Sequence, residues 1–191
     1  MKTNWLHKAV LVGVVASLLI LGLASCSSIS AGSTTTSALS NTPPATTKSS
    51  TTPLFQSSNP TNPVKQLTID VQVDNDSVVI PLDKVTANLN TRFKLATKEG
   101  EMTFMAYIWD GKLNVRADIC PPCRSKSFTL TKGTLVCDAC GTVFDAVSGN
   151  GIRGACVAYP KEAVSYQLSS NSILVSQTSL ITAYKETLKP N

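Results

Sequence analysis

From residue 64 onward, hydrophobic and polar positions alternate with period two. Leu67, Ile69, Val71 and Val73 are interleaved with Gln66, Thr68, Asp70 and Gln72, the pattern of a half-buried strand. Val78 to Leu82 is a further short apolar run, and Phe93 and Leu95 alternate with Arg92 and Lys94. Met102 to Trp109 is rich in β-formers and ends at Asp110-Gly111, a type I′ hairpin signal, with Lys112 to Arg116 as the return strand. A second hairpin is predicted where Phe128 to Leu130 and Thr134 to Val136 flank Lys132-Gly133. Val143 and Phe144 lead into a turn at Ser148-Gly149-Asn150-Gly151. A last hairpin joins Val164 to Leu168 with Ile173 to Val175 around Ser170-Asn171. Gln177 to Leu188 carries a weak helical period. With no internal repeat and no βαβ alternation, the pattern predicts an all-β domain over 64–191, a small sandwich or barrel.

The N-terminal third reads differently. Lys2, His7 and Lys8 precede an apolar run from Ala9 to Ala24, the layout of a secretory signal over residues 1–25. Leu23-Ala24-Ser25-Cys26 resembles a bacterial lipobox, in which Cys26 is acylated and becomes the first residue. The competing reading is an uncleaved transmembrane anchor, for which the run is short. Both readings put the rest of the chain outside the cytoplasm, tethered to a membrane. Residues 26–63 follow as a lipidated cysteine and a Ser/Thr/Pro-rich stalk whose only charge is Lys48. Such a segment cannot bury enough apolar surface to fold. As a coil it spans roughly 35 Å between its ends, and stretched out about 120 Å.

The formal charge of +5 falls to +3 once Lys2 and Lys8 leave with the signal, which argues against nucleic acid as a partner. His7 is the one histidine of the chain. Residues 26–191 therefore contain no imidazole, which excludes His-based triads, His general bases and His metal ligands.

The chemistry is concentrated in cysteine. Cys120-Pro121-Pro122-Cys123 and Cys137-Asp138-Ala139-Cys140 lie thirteen residues apart, the second pair runs into Gly141, and Cys156 follows. Disulfides are one reading, since the compartment can be oxidising. With Cys26 acylated, however, five cysteines remain, and an odd number cannot all pair. A structural zinc site of the ribbon type is a second, although a β domain of this length has a core of its own. An iron–sulfur site is a third.

The order of elements around the cysteines is similar to that of the Rieske domain. Two ligand loops at hairpin tips, at one end of the domain, come first, with Gly141 after the second, then Phe144-Asp145 and a Gly turn, then the loop bearing Gly154, Cys156 and Pro160. In the Rieske pattern each loop supplies one Cys and one His. Here both His positions are Cys. A fuller set of residues resembles the membrane iron–sulfur-containing, FtrD-like family. It comprises Asp110-Gly111-Lys112, Val115 to Asp118, Cys120-x-x-Cys123-Arg124-Ser125-Lys126, Leu135-Val136-Cys137-x-x-Cys140-Gly141-x-x-Phe144 and Gly154-x-Cys156. The likeness runs from about Leu67 to Val175. It implies an iron–sulfur cluster, and the four-thiolate set Cys120, Cys123, Cys137 and Cys140 is expected to hold one of the 2Fe–2S type, with Zn2+ as the alternative occupant; Cys156 is a candidate fifth ligand, a partner thiol or a buried cysteine. Some members of the family are linked to ferrous-iron uptake, so a redox partner or an iron-transport membrane protein is the implied partner, beside the membrane itself through Cys26. Many members are multi-pass membrane proteins, whereas this chain carries one predicted lipid anchor.

Four thiolates make an oxidised 2Fe–2S centre dianionic, whereas two neutral His ligands leave it uncharged. All-Cys ligation thus predicts a low-potential one-electron carrier. Arg124, Lys126, Lys132, Arg153 and Lys161 lie on the segments around the cysteines, either as counter-charges to such a cluster or as a solvated face. No catalytic residue is assigned: there is no nucleophile beside a base, no phosphate-cradling loop and no paired carboxylates. A thiol–disulfide exchanger built on Cys120 and Cys123 lacks the βαβ context such enzymes use.

Overall fold

A computed structural model of the chain describes Phe55 and residues 59–191. The predicted signal, Cys26 and most of the stalk lie outside the described residues. Among the described residues, no helix is long and apolar enough to cross a membrane.

The long central strand sets the architecture. β1 (Leu67–Thr68), β4 (Asn90–Thr97), β5 (Gly100–Trp109) and β6 (Lys112–Ala117) form one sheet in the order β1-β4-β5-β6. β5 is buried from Met102 to Ile108 without a break. Such a run means that both faces of the strand are covered. Alternation then divides its side chains between two cores. Met102, Phe104, Ala106 and Ile108 enter the first core, with Phe93, Val115, Ile80, Ile173 and Leu180. Met105 and Tyr107 enter the second, with Phe128, Leu130, Leu135, Phe144, Cys120, Cys137 and Cys156.

The first core is closed by a second sheet. β2 (Gln72–Asp74), β3 (Ser77–Pro81), β11 (Gln167–Ser169) and β12 (Ser172–Ser176) stand in the order β11-β12-β3-β2, all antiparallel, with Ser176 opposite Ser77. Two short helices pack beside it, α1 (Leu82–Asn88) and α2 (Gln177–Thr187). The expected tail helix is present, and Ser176 caps it by accepting the Ser179 N–H. Helix α1 was not legible, because the apolar run through Leu82 reads as strand until Pro81 ends it. The first predicted strand is also corrected. Residues 66–73 divide between β1 and β2 in different sheets, with Leu67 and Val73 exposed while Ile69 is buried.

The second core lies under a third sheet. β7 (Phe128–Thr131), β8 (Thr134–Cys137), β9 (Val143–Asp145) and β10 (Gly151–Arg153) run in the order β10-β9-β8-β7. Both predicted tight hairpins are in place: Asp110-Gly111 and Lys132-Gly133 have positive φ at both residues, as type I′ requires. The segment before residue 64 touches this body, because the Asp110 N–H donates to Asn59 Oδ1 at 2.7 Å and Phe55 packs on the first core. The strand-rich class agrees with the expectation, in the form of three four-stranded sheets with two short helices.

A buried polar cross-brace joins the sheets. Tyr107 Oη donates to the Ala146 carbonyl at 2.6 Å and accepts from Arg116 Nε at 2.9 Å, while the other Arg116 nitrogens reach the carbonyls of Lys161 and Val147. Burial pushes the Tyr107 hydroxyl up to about 12, so it stays protonated and keeps donating. Replacing Tyr107 with Phe leaves a buried carbonyl and a buried guanidinium each short of one partner. The expected loss is about 2 kcal/mol of stability in urea unfolding; a change below a few tenths would show that the brace is not stabilising.

Candidate metal centre

Three turns bring the sulfurs together. The first joins β6 to β7, that is, one sheet to another, and so is not the hairpin tip the sequence suggested. It closes on itself where the Cys120 N–H donates to the Ser125 carbonyl at 2.8 Å, with Arg124 in the left-handed region at φ 58°. The second turn joins β8 to β9. Gly141 N–H donates to the Cys137 carbonyl and Cys137 N–H to the Thr142 carbonyl, both at 2.9 Å. Gly141 takes φ 68° at that turn. Asp138 fastens the turn to the start of β7 by accepting the hydroxyls of Ser127 at 2.5 Å and Thr129 at 2.6 Å.

The third segment follows β10 and carries Cys156. Gly154, at φ 114°, lets it come in: a Cβ there would stand 2.7 Å from Thr142 Cα and Oγ1. Thr142 Oγ1 accepts the Cys156 N–H at 3.2 Å and also the Cys140 thiol at 3.2 Å, joining the second turn to the third.

All five cysteines beyond Cys26 are brought to one place and are free thiols. Cys120 and Cys140 sulfurs are 3.9 Å apart, Cys123 and Cys137 are 3.7 Å apart, and Cys140 and Cys156 are 3.7 Å apart. Two thiolates sharing a tetrahedral metal at about 2.3 Å lie about 3.8 Å apart, so each contact has the length of a coordination edge. The donor set is all sulfur, which suits zinc or an iron–sulfur cluster. The four sulfurs lying within 4.8 Å of one another are those of Cys120, Cys123, Cys140 and Cys156. Cys156 thus stands inside the group, and Cys137 joins it through Cys123.

Burial grades the thiols. Cys120, Cys137 and Cys156 are core residues, whereas Cys123 and Cys140 are half-buried at the surface side. Burial pushes the Cys120 and Cys137 thiols up. For Cys140 the slight burial also raises the pKa, but in the thiolate form the Thr142 hydroxyl and backbone N–H and the Cys137 and Cys123 thiols donate to its sulfur, which outweighs the burial and brings the group down to about 6. Cys140 is therefore the most acidic of these three thiols and the most nucleophilic sulfur expected at neutral pH.

Two charged residues lie beneath the sulfurs. Asp118, at the end of β6, is fully buried, with Arg92 Nε at 3.5 Å from Oδ2 and no hydrogen bond to either oxygen. Burial pushes it up to about 7, against a smaller opposing pull from Arg92. Of the five cations singled out in the sequence, Lys161 is buried, Lys126 is half-buried, and Arg124, Lys132 and Arg153 are exposed. Thr142 was not anticipated; a threonine two residues after a ligand carries no sequence signal of its own. The burial of Asp118 was partly legible, since it sits between the apolar residues Val115, Ala117 and Ile119.

Two outcomes are expected. In the metal-free reduced protein at pH 7, mass-spectrometric mapping should find Cys140 alkylated first, and Thr142→Val should slow it roughly tenfold. Equal labelling of Cys123 and Cys140 would remove the role given to Thr142. For Asp118, a carboxyl with a raised folded pKa binds its proton in the native state while the unfolded chain has lost it. The contribution of Asp118 to stability is thus fully present below about pH 4 and is lost as pH rises through about 7. Asp118→Asn should flatten that decline in urea titrations at pH 5 and 8, and a slope unchanged from wild type would contradict it.

The sequence model of the family described as "Membrane iron-sulfur containing protein FtrD-like" matches residues 85–186, just over half of the chain. No curated protein gives a match. Among solved structures, a chain of the complex of reduced oxygenase and oxidized ferredoxin in carbazole 1,9a-dioxygenase is 14% identical, with a TM-score of 0.45 over 55% of this chain and 95% of that one. The ferredoxin of carbazole 1,9a-dioxygenase from Nocardioides aromaticivorans IC177 is 17% identical, with a TM-score of 0.41 over 51% and 93%. The Sphingomonas yanoikuyae B1 ferredoxin is also 17% identical, with a TM-score of 0.37 over 44% and 84%. At such TM-scores these likenesses carry no weight for function. The family match does, and it covers every cysteine of the centre: the chain belongs to the membrane iron–sulfur-containing, FtrD-like family.

Proposed function

We propose that this protein is a membrane-tethered, extracytoplasmic one-electron carrier whose Cys120, Cys123, Cys137 and Cys140 hold a 2Fe–2S cluster, with Cys156 as a fifth sulfur at the same centre. The observation that carries the reading is the convergence of five thiols, without any disulfide among them, in a chain of this family. An iron–sulfur cluster supplies one-electron reduction and reoxidation.

The chain's own residues do the rest. Cys120, Cys137 and Cys156 anchor the centre in the second core and keep water from its inner side. Half-buried Cys123 and Cys140 form the side through which an electron passes to a partner, with exposed Arg124 and Arg153 on the flanking segments favouring an acidic one. Acylated Cys26 and the stalk over residues 26–63 keep the domain within reach of a membrane partner, and an iron-transport protein is one such partner.

A second reading has its own observation. Four sulfurs within 4.8 Å of one another also suit a single Zn2+, which would make the domain a structural or binding module without redox activity.

Anaerobic purification with iron, sulfide and zinc quantified separates the two. Stoichiometric iron and sulfide, a visible spectrum and an EPR signal on reduction are expected, with a potential below about 0 mV. Colourless protein with one zinc would sink the electron-transfer reading. Cys120→Ser and Cys137→Ser should each lose most of the iron, and Cys156→Ser should perturb the spectrum. An unchanged spectrum in Cys156→Ser would remove that residue from the centre. Cys26→Ser should release the protein from the membrane fraction.

A further inference from the structure

A buried lysine stands beneath the cysteines without an acidic partner. Lys161 is 1% exposed. Its Nζ donates to the Ile119 carbonyl at 2.8 Å and to the Tyr159 carbonyl at 3.1 Å, and lies over the rings of Phe144 at 4.2 Å and Phe128 at 5.3 Å. None of the ion pairs among the described residues includes it.

Each of these contacts leads to a sulfur. Ile119 immediately precedes Cys120, and Tyr159 donates its N–H to the Cys156 carbonyl at 3.1 Å. Phe128 stands opposite Cys137 in the β7–β8 ladder, and Phe144 follows Cys140 on β9. The ammonium therefore sits at the point where all three cysteine segments meet.

Taking an ammonium out of water costs several kcal/mol, and two carbonyls with two ring faces recover part of that. Simple packing would be served as well by methionine. What methionine lacks is a positive charge facing a group of thiols that must become anionic to bind metal.

We propose that Lys161 is the buried counter-cation of the five-sulfur centre: it strengthens metal uptake by the sulfurs and raises the reduction potential of the loaded centre. This rests on the metal-centre reading above. A divalent ion on four thiolates is a dianion, and a reduced cluster carries one more negative charge than an oxidised one. A fixed positive charge stabilises the first over the protonated thiols and the second over its oxidised form, whereas the exposed cations are screened by solvent.

The test compares wild type with Lys161→Met, Lys161→Gln and the exposed control Lys132→Met. Co2+ affinity of the reduced apoprotein is read by competition, and the potential of the reconstituted protein by spectroelectrochemistry. Both Lys161 variants should bind Co2+ at least tenfold more weakly. Their reduction equilibrium should shift at least tenfold toward the oxidised form, about 59 mV for one electron. Lys132→Met should stay within about twofold on both.

Variants that fold by circular dichroism and match wild type on both readouts would overturn the proposal. Should neither variant fold, side-chain nitrogen NMR of Lys161 in zinc-loaded wild type decides: an ammonium signal at pH 7 supports it, and a neutral amine overturns it. If wild type itself takes up neither Co2+ nor iron, the metal-centre reading fails, an outcome distinct from equal behaviour of loaded wild type and variants.

Discussion

Three thiols and one ammonium are buried inside an apolar core, and the centre depends on how that charge is balanced. Cys120, Cys137 and Cys156 pack among Phe128, Leu135, Phe144 and Met105. In such surroundings a lone thiolate is unstable, which is why burial pushes the Cys120 and Cys137 thiols up. The same surroundings keep a metal–thiolate bond away from water once it has formed. Empty, the site favours the protonated form of Cys120 and Cys137; a metal bound there would displace those protons and be shielded on its inner side.

The fold supplies this environment through β5. Because both faces of the strand are covered, its odd and even residues serve different cores, and Tyr107 can join the second core while Phe104 and Ala106 hold the first. Arg116 on β6 extends the brace from Tyr107 to the carbonyls of Lys161 and Val147. The segment that carries Cys156 to the sulfurs is thus tied at its far end to the same strand pair that delivers Cys120. The half-buried thiols lie away from this rigid base, where a partner has access.

On the proposed reading, the N-terminal third would serve the centre by holding the domain at a membrane. A firm anchor and a long polar stalk would confine the domain to a shell near the membrane, raising its effective concentration toward a membrane partner. On that reading, an anchored electron carrier would gain encounter rate without a large docking surface.

Much of the domain was legible in the sequence because the relevant signals are local. Period-two alternation located the strands, Asp110-Gly111 and Lys132-Gly133 dictated their turns, and the two C-x-x-C pairs announced a thiolate site wherever they came to lie. The absence of histidine after residue 7 excluded imidazole ligands by itself. Only the tertiary structure decided what depends on contacts between distant segments. It split residues 66–73 between two sheets, because Leu67 pairs with Thr91 while Gln72 pairs with Val79. It drew Cys156 to Cys140 through Thr142 and the bare Cα of Gly154. It also distinguished Lys161 from four other lysines and arginines that look the same in sequence. Charge is written in the residue type, but burial is a property of the assembled core, and burial is what turns a surface lysine into a counter-cation.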